Sequence, residues 1–156
     1  MLVRYGTETG ILPQAWFIEG RTMATASPIR ILIADDSTLI RRQLRKLLET
    51  QVQGAVVDEA ENGQEAIQKV MQKSPDIAIL DVAMPVVNGL IAAERISEIA
   101  PELPIVVHTM YATPQIEDEV KKRGATAVVP KNDVRTLVSL ISRISEEEVG
   151  ISPEWL

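Results

Sequence analysis

The sequence predicts an α/β protein in which five parallel strands form one doubly wound sheet covered by helices on both faces. From residue 29 onward, five short runs rich in β-branched residues alternate with five amphipathic stretches of helical period. The central runs are continuously apolar, as strands buried on both faces require. Because crossovers between parallel strands are right-handed, this alternation places helices on both sides of the sheet.

The composition is that of one acidic globular domain. The 156 residues are 46% hydrophobic and 24% charged, enough for a single core. A net charge of −6 argues against direct nucleic acid binding, which needs a basic face. With no cysteine and one histidine, a divalent metal site must use oxygen ligands, which favours magnesium, manganese or calcium. No apolar run approaches the ~20 residues that span a bilayer, and no continuous apolar segment resembles a secretory signal. We therefore expect a cytoplasmic protein with no membrane partner.

Three regions are predicted: a leader over residues 1–27, the domain over 28–150 and a short tail over 151–156. The leader lacks a clear period and carries Tyr5, Trp16 and Phe17, three of the five aromatic residues. Met23 would make a natural start, and residues 18–21 resemble a processing-protease site. An over-long gene sequence, an added segment and a native extension packed through its aromatics all stay open. No second domain is expected after the tail, although a fragment of a longer protein stays open too.

The first two strands are predicted over residues 31–34 and 55–59. Between them lies a helix with apolar residues spaced i, i+4, i+7 and i+8, and basic residues are expected mostly on its other face. The inner residues are Ile40, Leu44, Leu47 and Leu48, and the basic ones are Arg41, Arg42, Arg45 and Lys46. Asn62-Gly63 marks the turn after the second strand.

The remaining three strands are predicted over residues 77–80, 105–108 and 127–130. The second helix ends before Ser74-Pro75, and a weak fourth helix over 114–123 stops at Gly124. Asn132-Asp133 caps the last helix. The predicted inner positions of the second, third and fifth helices are Ala66, Ile67, Val70 and Met71, then Leu90, Ala93, Ile96 and Ile99, then Val134, Leu137, Val138, Ile141 and Ile144.

Polar side chains follow four of the five strands at the point where each strand ends: Asp35-Asp36, Asp81, Thr109 and Lys131. The carboxyl ends of parallel strands share one edge of the sheet, where α/β proteins bind ligands. Three neighbouring carboxylates repel by a few kcal/mol at a dielectric constant of ~20, and a hard cation such as Mg²⁺ would relieve that repulsion. A metal, a lysine and a hydroxyl also suit phosphoryl transfer, with Asp81 as a candidate nucleophile that forms an acyl phosphate. Any one aspartate alone is better explained as a solvated loop start, but the complete set is not.

With these motifs the chain resembles the receiver domains of two-component response regulators, over about residues 29–149. The resemblance depends on Asp35-Asp36, on residues 81–85 with Asn88-Gly89, on Thr109 and on Lys131, and residues 59–63 also fit. Within this family, the chain resembles the stand-alone receivers of the chemotaxis-regulator type. The resemblance implies a flavodoxin-like sheet of strand order 2-1-3-4-5.

The resemblance also implies a role for each acidic residue. Asp81 would accept a phosphoryl group from a histidine kinase or phosphotransfer protein. Asp36 would bind Mg²⁺ directly, with Asp81 and the backbone carbonyl of Ala83 as further ligands and Asp35 acting through water. Mn²⁺ is the alternative ion. The chain would not be an enzyme beyond its own phosphorylation and dephosphorylation.

The basic and hydroxyl residues would transmit the signal. Lys131 would contact the phosphoryl oxygens, and Thr109 would move toward them. That movement would change the face formed by the fourth and fifth helices and the fifth strand. An unknown downstream protein, or a second copy of the chain, would bind this face.

Three departures from the family pattern affect these expectations. Asn132 follows Lys131 where the family has a proline joined by a cis bond, and a cis non-proline bond costs about 2.5–4 kcal/mol, so this peptide is either trans or strained. Val128 stands at the aromatic switch position, which leaves Tyr111 as a candidate for part of the readout or simply as a surface residue. Met110 stands where a small residue is usual and would narrow access to the site. His108 is predicted to serve packing.

Other function classes fit less well. A docking module that no longer turns over phosphate stays open. A hydrolase with an aspartyl-phosphate intermediate would need an Asp-x-Asp motif at the first strand. A nucleotide or flavin binder would need a glycine-rich loop where Asp35-Asp36-Ser37-Thr38 stands.

Overall fold

The computed structural model describes residues 17–18, 21–22 and 27–148. Five strands form one sheet: β1 Ile29–Ala34, β2 Ala55–Ala60, β3 Ile77–Leu80, β4 Ile105–Thr109 and β5 Ala127–Pro130. All neighbouring pairs are parallel. Their order is β2-β1-β3-β4-β5, which confirms the predicted 2-1-3-4-5 arrangement.

Five helices alternate with the strands: α1 Thr38–Gln51, α2 Gly63–Lys73, α3 Gly89–Ile99, α4 Pro114–Lys122 and α5 Val134–Glu148. A side-chain oxygen caps the first turn of each helix by accepting a backbone N–H, an interaction worth about 1 kcal/mol. The caps are Ser37, Asn62, Asn88, Thr113 and Asp133. In α4, Pro114 stands in the first turn, where its missing N–H costs nothing.

The core consists of two apolar layers, one on each face of the sheet. Alternate strand residues point to opposite faces, so Ile31 and Ile33 of β1 enter one layer while Leu32 and Ala34 enter the other. The first layer is completed by residues of α1 and α5, and the second by residues of α2, α3 and α4.

Three predicted helix faces were partly wrong. Arg41, expected on the outer face of α1, is buried, and Met71 and Ile99, expected inward, are exposed. Met71 lies past the edge of the arc through Ala66, Ile67 and Val70 that α2 buries. Ile99 is the last residue of α3, beyond the turns that pack on the sheet, and Ala92 is buried instead.

Part of the predicted leader forms a short antiparallel pair, Phe17–Ile18 with Arg21–Thr22, which the sequence did not indicate. The rest of the leader up to residue 26, and the tail over 151–156, lie outside the described residues. Trp16 is among them. No helix of the described part is long and apolar enough to cross a membrane.

Candidate functional site

The three aspartates come together because β1 and β3 are neighbours. Ala34 pairs with Leu80 in the parallel register, so the next residue of each strand, Asp35 and Asp81, leaves the sheet at the same level. The Asp81 N–H donates to the Ala34 carbonyl at 2.9 Å and fixes this arrangement. Carboxylate oxygens of Asp35, Asp36 and Asp81 lie within 4.8 Å of one another. Such a set of oxygens suits a hard divalent cation.

Lys131 reaches this cluster from the end of β5. Its Nζ lies 2.7 Å from Oδ2 of Asp35 and 2.9 Å from Oδ2 of Asp81. Its backbone N–H donates to the Thr109 carbonyl at 2.9 Å, which anchors the lysine beside β4. No peptide bond in the described part is cis, so Lys131 and Asn132 are joined by a trans bond and the lysine still meets both carboxylates.

Burial differs among the charged members. Asp35 and Asp81 are 2% and 5% exposed, whereas Asp36 faces solvent. Burial raises the pKa of Asp81, against the pull of the Lys131 ammonium, and the Asp35 carboxylate adds to the rise. Burial alone would lower the pKa of Lys131, but hydrogen bonds and attraction to Asp35 and Asp81 outweigh it and raise that pKa. The lysine therefore stays charged at neutral pH and binds two carboxylates that would otherwise repel.

Thr109 is fully buried at the end of β4. Its Oγ1 accepts the backbone N–H of Tyr111 at 3.2 Å, which ties the hydroxyl to the loop before α4. The side chains of Met110 and Tyr111 are exposed. Val128, on β5, is half-buried and packs against the apolar layer that includes Val120 of α4. The Thr109 hydroxyl thus joins β4 to the loop before α4, and Val128 of β5 packs on the apolar layer to which α4 contributes.

The loop between β3 and α3 is anchored at both ends. The Gly89 N–H donates to the Val82 carbonyl at 2.9 Å, and the Gly63 N–H of α2 donates to the Val87 carbonyl at 3.0 Å. Val86 has φ = +65°, a left-handed conformation that a β-branched residue seldom adopts. Ala83, within this loop, is exposed.

Arg41 is the neighbour that the sequence analysis missed. Its side chain is buried in α1, and Nη1 donates to the backbone carbonyl of Asp35 at 2.7 Å. It also pairs with Glu59 and Glu61, which follow one another at alternate positions near the end of β2. Glu59 and Glu61 were the signal in the sequence that could have indicated Arg41. A helix that packs on β2 either brings a cation to these two carboxylates or leaves them in solvent.

His108 is buried below the site. It is 3% exposed, and its Nε2 has no hydrogen-bond partner among the described residues. Its pKa is lowered to about 4, mainly by burial and also by the nearby Lys131 ammonium, while Asp35 opposes the shift. The imidazole is therefore neutral at pH 7, in keeping with a packing role.

Comparison with known proteins gives the same picture. The family model of the response regulator receiver domain matches residues 31–142. The oxygen regulatory protein NreC of Staphylococcus carnosus is 36% identical over 128 residues, which are 81% of this chain and 59% of that protein. The chain thus spans less than two thirds of this relative.

Solved structures match in fold. A LuxR-family two-component response regulator from Aurantimonas sp. superposes with a TM-score of 0.72 at 30% identity, covering 78% of this chain and 87% of that one. The response regulator domain of Thermotoga maritima CheB gives 0.68 at 25% identity, covering 81% and 99%. The acidic edge of a 2-1-3-4-5 sheet and a family match over well over half of the sequence lead to one conclusion: the chain belongs to the receiver domains of two-component response regulators.

Proposed function

We propose that this receiver is phosphorylated on Asp81 in a Mg²⁺-dependent reaction and that phosphorylation changes the α4–β5–α5 face for binding a downstream protein. A histidine kinase or phosphotransfer protein would supply the phosphoryl group. The observation that carries the proposal is the position of Asp81, which shares Lys131 with Asp35 beside the exposed carboxylate of Asp36.

The donor set fits Mg²⁺, which favours a few carboxylates with several waters. Asp36, Asp81 and the Ala83 carbonyl would hold the ion, and Asp35 would act through water; Mn²⁺ would suit the same oxygens. The bound ion would neutralise charge on the phosphoryl oxygens.

Within this chain, the transfer needs only side chains of the acidic site. A carboxylate oxygen of Asp81 attacks phosphorus, the phosphorus–nitrogen bond of the donor phosphohistidine breaks, and the electron pair stays on the imidazole, which then takes a proton from solvent. Lys131, which donates to the two buried carboxylates, would move one ammonium hydrogen bond to a phosphoryl oxygen. No other side chain has to cross the site.

Thr109 links this chemistry to the surface. Its Oγ1 accepts the Tyr111 N–H, so a shift of the hydroxyl toward a phosphoryl oxygen on Asp81 would loosen the loop before α4. Tyr111, which is exposed at the start of that loop, would then supply part of the readout.

We expect Tyr111→Ala to weaken the phosphorylation dependence of partner binding or self-association while phosphorylation itself continues. A binding assay measures this, and an unchanged dependence would reduce Tyr111 to a surface residue.

Phosphorylation can be tested directly. The protein is incubated with Mg²⁺ and a small acyl-phosphate donor, or with beryllofluoride, and the product is detected by mass spectrometry or NMR. A phosphoryl adduct, or a beryllofluoride adduct with the second reagent, is expected in the unmodified chain and in Asp118→Asn, an exposed residue of α4, and it should be lost in Asp81→Asn. Intact Mg²⁺ binding without any adduct would contradict the proposal and favour the docking module.

A further inference from the structure

We propose that Arg41 is a positioning residue for the acidic site. Its guanidinium holds the peptide between Asp35 and Asp36, and so fixes the direction in which the Asp36 carboxylate enters the cluster. The inference rests on the proposed function, because the role of Asp36 as a metal ligand belongs to that proposal.

Arg41 is bound on several sides. Nη1 donates to the Asp35 carbonyl at 2.7 Å, Nη2 to Thr38 Oγ1 at 3.3 Å, and Nε to Glu59 Oε1 at 3.3 Å. Nη2 also lies 3.4 Å from Glu61 Oε1. The shortest of these contacts is the one to the acidic loop, and the residue is 5% exposed. The guanidinium therefore joins the start of α1 and the end of β2 to a single backbone carbonyl.

That carbonyl controls Asp36. The peptide unit is planar, so fixing the oxygen of Asp35 also fixes the position of the Asp36 Cα. Asp35 itself is secured elsewhere, since its N–H donates to the Ala60 carbonyl at 3.1 Å and its carboxylate accepts hydrogen bonds from Ser37 N–H and Lys131 Nζ. The Asp36 side chain has no hydrogen-bond partner among the described residues. Hydrogen bonds within the described residues therefore constrain Asp36 through its backbone, which Arg41 holds.

A purely structural role explains the contacts less well. Burying a guanidinium is costly, and a pair that only ties α1 to β2 could remain at the surface. Arg45, one turn later, does this: Nη1 lies 2.7 Å from Glu59 Oε2, and Nη2 donates to the Val57 carbonyl, with the side chain 41% exposed. Arg45 thus shares Glu59 with Arg41 but has no contact with the peptide of Asp35. It is the matched control.

The test compares Mg²⁺ affinity in Arg41→Met and Arg45→Met by titration calorimetry. Each substitution removes one arginine of α1, and each arginine pairs with the same glutamate, Glu59. We expect Mg²⁺ binding to weaken about tenfold in Arg41→Met, as for other residues that orient ligands, and to change less than about twofold in Arg45→Met. Charge effects alone predict the opposite change in affinity. Removing the positive charge of Arg41 would remove its repulsion of Mg²⁺ and so tighten Mg²⁺ binding. An affinity equal to or higher than that of the unmodified protein in folded Arg41→Met would overturn the proposal.

A metal-free measurement separates this inference from the proposed function. Without Mg²⁺, amide exchange at Asp36 and Ser37 should become faster in Arg41→Met relative to the amides of α1, and stay unchanged in Arg45→Met. Equal exchange in the two variants would refute the positioning role whether or not the protein binds Mg²⁺. Failure of the unmodified chain to bind Mg²⁺ would instead refute the proposed metal site. If Arg41→Met does not fold, Arg41→Lys carries both measurements, since an ammonium cannot replace a planar fork on several acceptors.

Discussion

Lys131 shows how one residue can hold a site that its neighbours would otherwise disrupt. Two buried carboxylates share its ammonium at 2.7 and 2.9 Å. Removing one partner of such a buried group leaves an uncompensated charge, which typically costs about 3–5 kcal/mol. Under the proposed function, a phosphoryl group on Asp81 would bring new oxygens to the same ammonium, so the lysine would have a partner in either state.

His108 reduces the free energy of unfolding at a buried position beside the site. Its Nε2 is buried without a partner, and its pKa is lowered to about 4 because burial disfavours the imidazolium. Above the ordinary histidine pKa of about 6.5, both folded and unfolded states are neutral. As the pH falls from there toward the folded pKa, only the unfolded state takes up a proton, and folding loses free energy.

We predict that His108→Val stabilises the protein and that the gain depends on pH. At pH 7 the gain should be about 1 kcal/mol, because an unsatisfied buried group is removed. It should grow by about 2 kcal/mol toward pH 5. Urea unfolding of both proteins at several pH values measures this, and no other histidine contributes because the chain has only one. A gain that is independent of pH would show that the pKa of the imidazole is the same in the folded and unfolded states.

Two residues show why the sequence predicted the site better than its surroundings. Asp81 follows an apolar run, and the position of a strand end is visible in the sequence, so its place beside Asp35 could be predicted. Arg41 lies on a helix whose apolar stripe is equally clear, yet its burial depends on Glu59 and Glu61 of a different strand. Such pairing is a property of tertiary contact and leaves no mark on helical periodicity.

At the scale of elements, the start of α3 is packed directly against the end of β3. A Cβ added at Gly89 would lie 1.9 Å from the Asp81 carbonyl oxygen, and one at Gly63 would lie 2.2 Å from the Val87 carbonyl oxygen. The first turns of α3 and α2 therefore lie so close to neighbouring backbone that a Cβ at either glycine would overlap a carbonyl oxygen. Glycine is required at these positions for space, and the loop that carries Ala83 is held by the contact.

We predict that Gly89→Ala disturbs the site as well as the fold. The added methyl group must push α3 away from Asp81, which should cost about 1–3 kcal/mol and weaken Mg²⁺ binding. Gly54→Ala is the control: its Cβ would meet nothing within 4 Å, but its φ of +76° is strained for alanine, at a cost of about 1–2 kcal/mol. Urea unfolding and Mg²⁺ titration should show similar stability losses but a loss of affinity only in Gly89→Ala. Equal affinities would show that the loop adapts.

Helical periodicity also did not show which residues at the edge of a helix face are buried. The five helices were predicted because their apolar residues recur at helical spacing, and the five-stranded order followed from family resemblance. Met71 and Ile99 were misplaced because the width of the buried arc is set by how far each helix extends over the sheet. In α2 and α3 that arc is covered by residues three and four apart, and the flanking positions stay in solvent.

Packing is uneven across the sheet and its helices within the part of the chain that the structure describes. The central strands β3 and β4 are buried at every position, whereas edge strand β5 has one fully buried residue of four, Val129. Four residues of α2 are buried but in α4 only Val120 is. Segments with few buried contacts open locally at lower free energy than the rest. The half of the molecule that includes α4 is therefore the part that a new contact at Thr109 can most easily rearrange.

Hydrogen exchange should reveal this difference. Before activation we expect amides of α4 to exchange faster than amides of α2, although both are short surface helices. Adding Mg²⁺ and beryllofluoride should change exchange in residues 109–122, because Thr109 then has an alternative to the Tyr111 N–H, while α2 should change little. A response of equal size in both helices would indicate general stabilisation by ligand binding, and in that case the α4–β5–α5 face would not be the element that the site controls. A response confined to α4, and absent in Asp81→Asn, would locate the two-state element on the side of the sheet where the packing is weakest.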